Sequence, residues 1–225
     1  KIAADPWNAD NFYKRALALQ DKGLYDDALV DFDKAISLDP EDPDYYYFRG
    51  RLWEAKREFQ KAIADYTTAI KIDPTDADIY FVRGSVRTLV GDYNGSISDY
   101  EESLIIDPTN YFLYKAIGDT WRDKGDLQRS IEFYTEAIRH DPKCVRYYLS
   151  RGSTWQDSGD FEKALSDFTR AIELAPDHAW QHTSRAVCWY EANDYANAII
   201  GFHDVLRLDP DNAFALSNLA IILAA

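Results

Sequence analysis

Few residues in this sequence have the types and spacing that catalysis or metal binding requires. His178 and His182 are four residues apart, the spacing at which two imidazoles on one face of a helix can bind a metal ion. His178 is predicted to lie in a turn and no third ligand accompanies the pair, so we expect no metal site. Neighbouring carboxylates such as Glu101 and Glu102 are common in so acidic a chain, and we expect them to be solvated rather than to act as acid and base. Because the sequence has no glycine-rich phosphate loop and no nucleophile elbow, we expect neither an enzyme nor a bound cofactor.

The charge of the chain limits the partners it can bind. The sequence has 25 basic and 39 acidic side chains, a net charge of −14. This charge argues against DNA or RNA as a ligand, because nucleic-acid binding needs clustered Lys and Arg. An acidic field steers basic partners toward a protein, so a basic peptide or protein is one expected ligand. The other interpretation is that the carboxylates only solvate the outer face and the turns.

Two further features bear on the location of the protein. No apolar run is long enough to span a membrane and the first residues do not resemble a signal sequence, so we expect a soluble chain without membrane insertion. Cys144 and Cys188 fit no metal-binding or redox spacing. Free cysteines are typical of a reducing compartment, which favours a cytoplasmic location.

The strongest pattern in the sequence is a repeat of 34 residues without insertion or deletion. An Asp-Pro dipeptide, once Ala-Pro, marks each period. Its prolines are Pro6, Pro40, Pro74, Pro108, Pro142, Pro176 and Pro210. A fixed period of this length is typical of one structural unit stacked many times, because a lone unit cannot bury its apolar face. The chain is therefore predicted to be a solenoid that acts in recognition.

Each repeat is predicted to be a pair of helices, helix A and helix B. We number the places of a repeat so that the proline stands at place 32. A turn residue at place 15 separates the two apolar stretches; it is Gly or Asn except at Arg57. The Asp-Pro pair ends helix B, because proline lacks the amide donor and disfavours the α conformation in the residue before it. The predicted repeats are 9–42, 43–76, 77–110, 111–144, 145–178 and 179–212, with partial repeats at 1–8 and 213–225.

Small and large side chains alternate at fixed places, as closely packed helix pairs require. Place 8 is small and place 24 is always aromatic. The residues at place 8 are Ala16, Gly50, Gly84, Gly118, Gly152 and Ala186, and those at place 24 are Phe32, Tyr66, Tyr100, Tyr134, Phe168 and Phe202. With an aromatic at place 4 of most repeats and Ala or Ser at place 20, the pattern resembles the tetratricopeptide repeat over essentially the whole chain.

The resemblance implies an all-α fold, a right-handed superhelical solenoid of helical hairpins. In such a solenoid the helices A line a concave groove and the helices B form the outer wall. The resemblance also implies a protein–protein interaction scaffold or peptide receptor without catalysis of its own, which is our leading hypothesis.

Arginine at place 7 and aspartate at place 23 recur together. In the fourth repeat both change at once, to Ile117 and Phe133, which predicts ion pairs between the two helices of one repeat rather than a row of ligand-binding arginines. Only Arg185, which faces Gly201, is expected to be free for a ligand. The predicted pairs are Arg15–Asp31, Arg49–Asp65, Arg83–Asp99 and Arg151–Asp167.

Tryptophan recurs at place 11, and its regularity predicts core packing between neighbouring helices rather than a ligand cage. The third repeat has Arg87 at this place, where we expect looser packing and an arginine that extends its charge to water. The alternatives at this point are a kink in the helix or a contact with a partner. The tryptophans are Trp53, Trp121, Trp155 and Trp189.

The resemblance assigns places 2, 5, 9, 12 and 13 of helix A to the concave surface. These places supply exposed rings and mixed charge, which suit peptide recognition, although some of the rings are expected to pack against the next repeat. The predicted partner-binding residues are Tyr13, Tyr47, Arg51, Phe81, Phe112, Lys115, Arg122, Trp180 and Tyr190. The family's carboxylate clamp is absent, since the best match, Lys115, is followed by Asp119 where the clamp has Asn. Its asparagine row at place 6 is also absent.

Residues 213–225 are predicted to form a further helix A with no helix B behind it. Its apolar side chains include Leu216, Leu219 and Leu223, so we expect either a longer array or association with another subunit through residues 213–225. Two alternative functions therefore stay open. Beside the leading hypothesis of an interaction scaffold, these are a structural subunit docked through this helix and the regulatory domain of a longer enzyme.

Overall fold

A computed structural model describes residues 7–224, which form thirteen α-helices and no strand. Helices A and B alternate along the chain, so the predicted all-α solenoid of helical hairpins is confirmed. The helices are α1 (Ala9–Gln20), α2 (Tyr25–Leu38), α3 (Pro43–Ala55), α4 (Phe59–Ile72), α5 (Ala77–Leu89), α6 (Tyr93–Ile106), α7 (Phe112–Asp123), α8 (Leu127–His140), α9 (Val145–Asp157), α10 (Phe161–Leu174), α11 (Ala179–Glu191), α12 (Tyr195–Leu208) and α13 (Ala213–Ala224). Within the described residues, every helix is too short or too polar to cross a lipid bilayer. Most of the predicted partial repeat 1–8 lies outside the described residues.

Each hairpin turns at a residue with left-handed backbone conformation. The turn residues are Gly23, Arg57, Gly91, Gly125, Gly159 and Asn193, with φ between 61° and 91°. Glycine adopts this conformation without a steric penalty, whereas a residue with a Cβ pays roughly 1–2 kcal/mol. Arg57, at φ 61°, carries that penalty. The turn therefore has the same geometry whichever residue stands at place 15.

Helix B ends at the Asp-Pro dipeptide, as predicted. Asp39 leaves the helical conformation, with φ −141° and ψ 94°, and donates its amide N–H to the carbonyl of Ala35. Pro40 follows and cannot continue the helical hydrogen bonds. The next helix A then begins at a side-chain cap. The caps of the first three helices A are Asn8, Asp42 and Asp76, each accepting the amide N–H two residues later.

The core of a hairpin is the place-24 ring packed on the small place-8 residue. Tyr66 and Tyr134 are fully buried. A Cβ on Gly50 would lie 2.7 Å from Cε1 of Tyr66, and one on Gly118 would lie 2.8 Å from Cε1 of Tyr134. In these two hairpins, glycine therefore allows a closer approach of helices A and B than a residue with a Cβ would.

The chain divides into two compact units. Unit 1 ends at Leu113 and unit 2 begins at Tyr114, so the division falls inside the fourth predicted repeat. Within unit 1 the hairpins α1–α2, α3–α4 and α5–α6 pack in sequence order, and within unit 2 the hairpins α9–α10 and α11–α12 do the same, with α8 before them and α13 after them. Each unit thus presents its own set of helices A.

Candidate functional site

Two-bond ion pairs join helix A to helix B in four repeats. In the pair of Arg151 and Asp167, Nε and Nη2 each donate to one carboxylate oxygen at 2.8 Å. Arg83 binds Asp99 in the same way, at 2.9 and 2.6 Å. The predicted pairs are all confirmed: Arg15–Asp31, Arg49–Asp65, Arg83–Asp99 and Arg151–Asp167. We call each pair a rung. Because the rungs use these arginines for packing, they do not form a ligand-binding row.

Three rung arginines also bind the preceding repeat, a contact that we did not predict. Their remaining Nη1 donates to an acceptor at place 25 of the repeat before. The bonds are Arg49 to Asp33 at 2.6 Å, Arg83 to Oγ1 of Thr67 at 3.1 Å and Arg151 to Oγ1 of Thr135 at 3.0 Å. A rung therefore couples two successive hairpins. The recurrence of Asp or Thr at place 25 was the available signal in the sequence.

Arg185 is covered rather than free, so that prediction is wrong. Its Nη2 lies 3.8 Å from a carboxylate oxygen of Asp204, and its guanidinium lies 4.8 Å from the ring centroid of Trp189. Burial lowers the pKa of Arg185, and Asp204 offsets only part of that shift. A Cβ on Gly201 would lie 2.9 Å from Cβ of Ala186, so an aspartate at this position would require the two helices to shift.

The tryptophans at place 11 pack in the core, as predicted, and each lies beneath a cation. Trp121 is buried, and the other three lie against the apolar clusters of their hairpins. In three repeats the cation comes from place 19 of helix B. The distances to the ring centroids are 4.4 Å for Lys61 and Trp53, 4.3 Å for Arg129 and Trp121, and 4.3 Å for Lys163 and Trp155. These rings are therefore not available to a ligand.

Arg87, which replaces tryptophan in the third repeat, does not extend to water. Its Nη1 donates to Asp99 at 2.9 Å and to the carbonyl of Gly95 at 3.2 Å. Asp99 thus accepts from both Arg83 and Arg87. The prediction that Arg87 extends its charge to water is therefore wrong. The buried carboxylate of Asp99 binds the guanidinium more strongly than water would.

His182 stands where most other repeats have an aromatic ring, and it makes the hydrogen bond that a tyrosine makes in the preceding repeat. Its Nε2 lies 2.9 Å from the carbonyl oxygen of Pro176. Tyr148, at the same place in the preceding repeat, donates its hydroxyl to Pro142 at 3.1 Å. His178 precedes the first residue of α11. Within residues 7–224 no three His, Cys, Asp or Glu side chains come together as a metal site.

The predicted groove rings of unit 1 are partly packed. Tyr13 and Tyr47 both contact Phe48, with centroids 5.6 and 5.0 Å apart. Phe81 lies 5.8 Å from the buried Tyr100. These three rings are half-buried, so they connect the helix-A surface of unit 1 to the core beneath it.

Other helix-A residues of unit 1 are more exposed. Phe112 is 43% exposed and lies 6.4 Å from Phe81, and Leu89 is 65% exposed. Arg51 donates to the hydroxyl of Tyr47 at 3.1 Å and lies over the ring of Tyr47, 5.9 Å from its centroid. Phe112, Leu89 and Arg51 therefore form the accessible part of this surface.

Acidic groups surround the N-terminal rings of unit 1. Burial raises the pKa of Tyr13 to about 12, assisted by the negative charges of Asp44, Asp42 and Asp10. Burial also raises the pKa of Asp44, to which Asp42 and Asp76 add repulsion. The surface near Tyr13 thus carries a concentrated negative potential.

In unit 2, three successive helices A line one open pocket. Lys115 and Arg122 come from α7, Arg146 and Leu149 from α9, and Trp180 from α11. Trp180 is 52% exposed. Three of the predicted partner-binding residues, Lys115, Arg122 and Trp180, therefore lie together.

Ionic and polar bonds tie these helices A to each other. Arg122 donates to Asp157 at 2.6 Å, and Gln156 donates to Glu191 at 2.7 Å, so place 12 binds place 13 of the next repeat in both cases. Tyr190 does not line the pocket; its ring packs against Tyr195 on α12 at 5.7 Å.

The last helix, α13, buries one side and exposes another. Ala215 and Leu219 pack against α12, in the cluster that includes Phe202. The exposed apolar side chains of α13 are Phe214, Leu216, Ile221 and Leu223.

Comparison with known proteins agrees with this architecture. The family model described as tetratricopeptide repeat matches residues 13–77, 115–179 and 156–213. No curated protein sequence matches the chain.

Solved structures resemble the chain at low sequence identity. The C-terminal part of a tetratricopeptide-repeat-containing protein from Cytophaga hutchinsonii has a TM-score of 0.81 at 20% identity, covering 96% of this chain and 89% of that one. A tetratricopeptide repeat protein from Parabacteroides merdae has a TM-score of 0.75 at 18% identity, covering 88% and 79%. The protein YrrB has a TM-score of 0.65 at 22% identity, covering 83% and 96%. At these levels of identity, the similarity shows a shared fold and nothing more.

Proposed function

Because the chain belongs to the tetratricopeptide repeat family, we propose that it is a non-catalytic interaction scaffold whose helix-A surface binds a segment of a partner protein. The observation that carries the proposal is the open pocket of unit 2, to which α7, α9 and α11 all contribute. A pocket to which three successive repeats contribute suits an extended peptide segment, because such a segment can contact several helices at once.

Accessible apolar side chains on the helices A support the same function. Leu89, Phe112 and Trp180 are exposed at predicted groove places, and large rings at such positions supply contact area at low entropic cost. YrrB, one of the similar structures, is described as a tetratricopeptide repeat protein with an unusual peptide-binding site. We propose a comparable use of the helix-A surface of each unit, in which Phe81 packs against the exposed Phe112, and Tyr13 and Tyr47 add partly exposed rings in unit 1.

For unit 1 we propose a basic partner segment. Burial, with a further contribution from the charges of Asp42 and Asp76, raises the pKa of Asp44, and a Lys or Arg of a ligand would stabilise the ionised carboxylates. Because both cysteines are free, we also propose a reducing compartment such as the cytoplasm.

A second candidate function uses α13. Four of its apolar side chains are exposed on one helix, and a surface of this kind is typical of an interface. In this case the chain would be a subunit held through residues 213–225. Sedimentation of the wild type and of a Leu216→Ser, Ile221→Ser variant tests this candidate, since it predicts association that the variant loses.

The leading proposal is tested by selecting random peptides displayed on phage against the whole chain. Selected peptides are then measured for affinity to a Leu89→Ala, Phe112→Ala variant and to a Trp180→Ala variant. Truncation of an anchoring side chain should weaken binding roughly 10-fold or more. These residues are exposed, so the variants should fold normally.

Matched controls come from helices B. Val30 on α2 and Ile200 on α12 are exposed to a similar extent, at 67% and 59%. Their alanine variants should bind the selected peptides as the wild type does. If the helix-B variants lose affinity and the helix-A variants do not, the proposed surface is wrong.

A further inference from the structure

The pocket of unit 2 is basic although the chain as a whole is acidic. Lys115, Arg122 and Arg146 all line it, together with the apolar Leu149 and Trp180. Leu149 is buried and Trp180 is exposed, so the pocket has an apolar floor and an accessible aromatic wall. Net charge alone therefore does not predict its ligand.

The ion pairs of the pocket leave one positive charge in excess. Lys115 donates to Asp119 at 2.7 Å, and Arg122 donates to Asp157 at 2.6 Å. Asp119 also accepts the hydroxyl of Tyr134 at 2.6 Å, which fixes its carboxylate in place. Arg146 is exposed.

Arg146 has no ion-pair partner among residues 7–224, so the groups just named carry three positive and two negative charges. The hydroxyls of Ser150 and Ser153 also line the pocket. An excess of a single charge beside neutral donors suits one carboxylate better than a doubly charged phosphate.

Trp180 also borders a second pocket of different charge. That pocket is lined by the carboxylates of Asp177 and Asp209, with His178 and Phe214 beside them. An acidic ligand group would be repelled there and attracted beside Arg146. The two pockets that share Trp180 thus specify where in a bound segment an acidic residue would lie.

We propose that the pocket of Lys115, Arg122 and Arg146 binds an Asp or Glu side chain of the partner segment, with a neighbouring apolar residue packed on Trp180. This inference rests on the proposed function and adds the chemistry of the ligand. It requires unit 2 to select an acidic residue, opposite to the basic segment proposed for unit 1. The arrangement differs from a carboxylate clamp because two of its three cations already form ion pairs, with Asp119 and Asp157.

The test is a peptide selection that isolates the pocket. Random peptides displayed on phage are selected on the wild-type chain in the presence of excess soluble Arg146→Glu variant, which removes peptides indifferent to Arg146. The surviving peptides should contain Asp or Glu close to Leu, Phe or Trp. The best peptide is then synthesised in three forms. One is unchanged, one has its acidic residue replaced by Gln, and one has that residue replaced by phosphoserine.

A double-mutant cycle measures the contact itself. On the wild type, the change from acid to Gln in the peptide should weaken binding roughly 10-fold, as for loss of a charge-assisted hydrogen bond. On an Arg146→Gln variant the same change should have little effect, because the two groups are then already uncoupled. Arg139→Gln is the control, since Arg139 is an exposed arginine on α8 that pairs with Glu136.

The outcomes separate the inference from the proposed function. Selected peptides that need Trp180 but lack acidic residues overturn the inference and leave the proposed function standing. Binding of the phosphoserine peptide without binding of the carboxylate peptide also overturns it. If no selected peptide depends on Trp180, the inference is overturned. If, in addition, peptides selected without the competitor depend on none of Leu89, Phe112 and Trp180, the proposed function is overturned as well. The inference is supported if the selected peptides are acidic and if the change from acid to Gln weakens binding to the wild type but not to the Arg146→Gln variant.

Discussion

Arg151 on α9 and Asp167 on α10 share two parallel hydrogen bonds of 2.8 Å, while the same arginine donates to Thr135 on α8. One guanidinium thus holds helix A to helix B of its own repeat and to helix B of the repeat before. This arginine therefore connects two successive repeats of unit 2.

Removal of one partner of this rung should be costly. Asp167→Ala leaves a largely buried guanidinium without its carboxylate, and we expect the free energy of unfolding to fall by about 3 kcal/mol. Replacement of both partners by the pair found in the fourth repeat, Arg151→Ile with Asp167→Phe, should cost less than Asp167→Ala. Urea denaturation of the three proteins measures the difference, and a double variant less stable than the single one would contradict the assignment.

The turn at Arg57 predicts a stabilising substitution. Arg57 has φ 61°, and the equivalent Gly91 has φ 79°. Arg57→Gly removes the strain of a Cβ in the left-handed region, so thermal unfolding should move to higher temperature, by a gain of about 1 kcal/mol. Gly91→Arg is the reverse experiment, and it should cost a similar amount because a Cβ on Gly91 meets no neighbouring atom. Equal stability of all three proteins would refute the role given to the turn.

The contact of Gly50 with Tyr66 predicts a destabilising substitution. Gly50→Ala improves helix propensity by about 1 kcal/mol but places a Cβ 2.7 Å from the buried ring. Overpacking of this kind costs roughly 1–3 kcal/mol, so we expect a net loss of stability. Chemical denaturation is the measurement. Ala16→Gly in the first repeat is the comparison; it should also destabilise, there by loss of helix propensity and packing.

The two cysteines should differ in reactivity. Cys188 is buried, and burial raises the pKa of its thiol to about 12, with a smaller contribution from Glu191. Cys144 is only half-buried. Because the thiolate is the reactive form, a disulfide reagent near neutral pH should modify Cys144 in the native protein and both thiols only after unfolding. Rapid labelling of a Cys144→Ser variant under native conditions would count against the described core.

Much of the fold was predictable because the repeat is regular. A period of 34 residues, the Asp-Pro dipeptide and the place-8 and place-24 residues fix the two helices of a hairpin and their closest contact. The rungs were also predictable, since Ile117 and Phe133 change together. That residues 1–225 form one array with the stated repeat boundaries remains a prediction, as does the assignment of the groove residues to partner binding.

Other contacts could not be read from the sequence, because they depend on where long side chains end in space. Arg87 was expected at the surface and instead binds Asp99, since the missing tryptophan leaves room for a guanidinium. Arg185 was expected to be free and is covered by Trp189. The basic pocket could not be predicted from the net charge of the chain, because only the fold brings Lys115, Arg122 and Arg146 together.

The most direct test of the account is site-specific photo-crosslinking in cell extract. A photoreactive benzoylphenylalanine replaces Trp180 on α11 in one protein and Ile200 on α12 in another; both positions are exposed in the same predicted repeat. If helices A form the binding surface, the probe at Trp180 should crosslink a discrete partner, and the probe at Ile200 should not. A partner captured from Ile200 and not from Trp180 would contradict the central claim and place the interface on helices B.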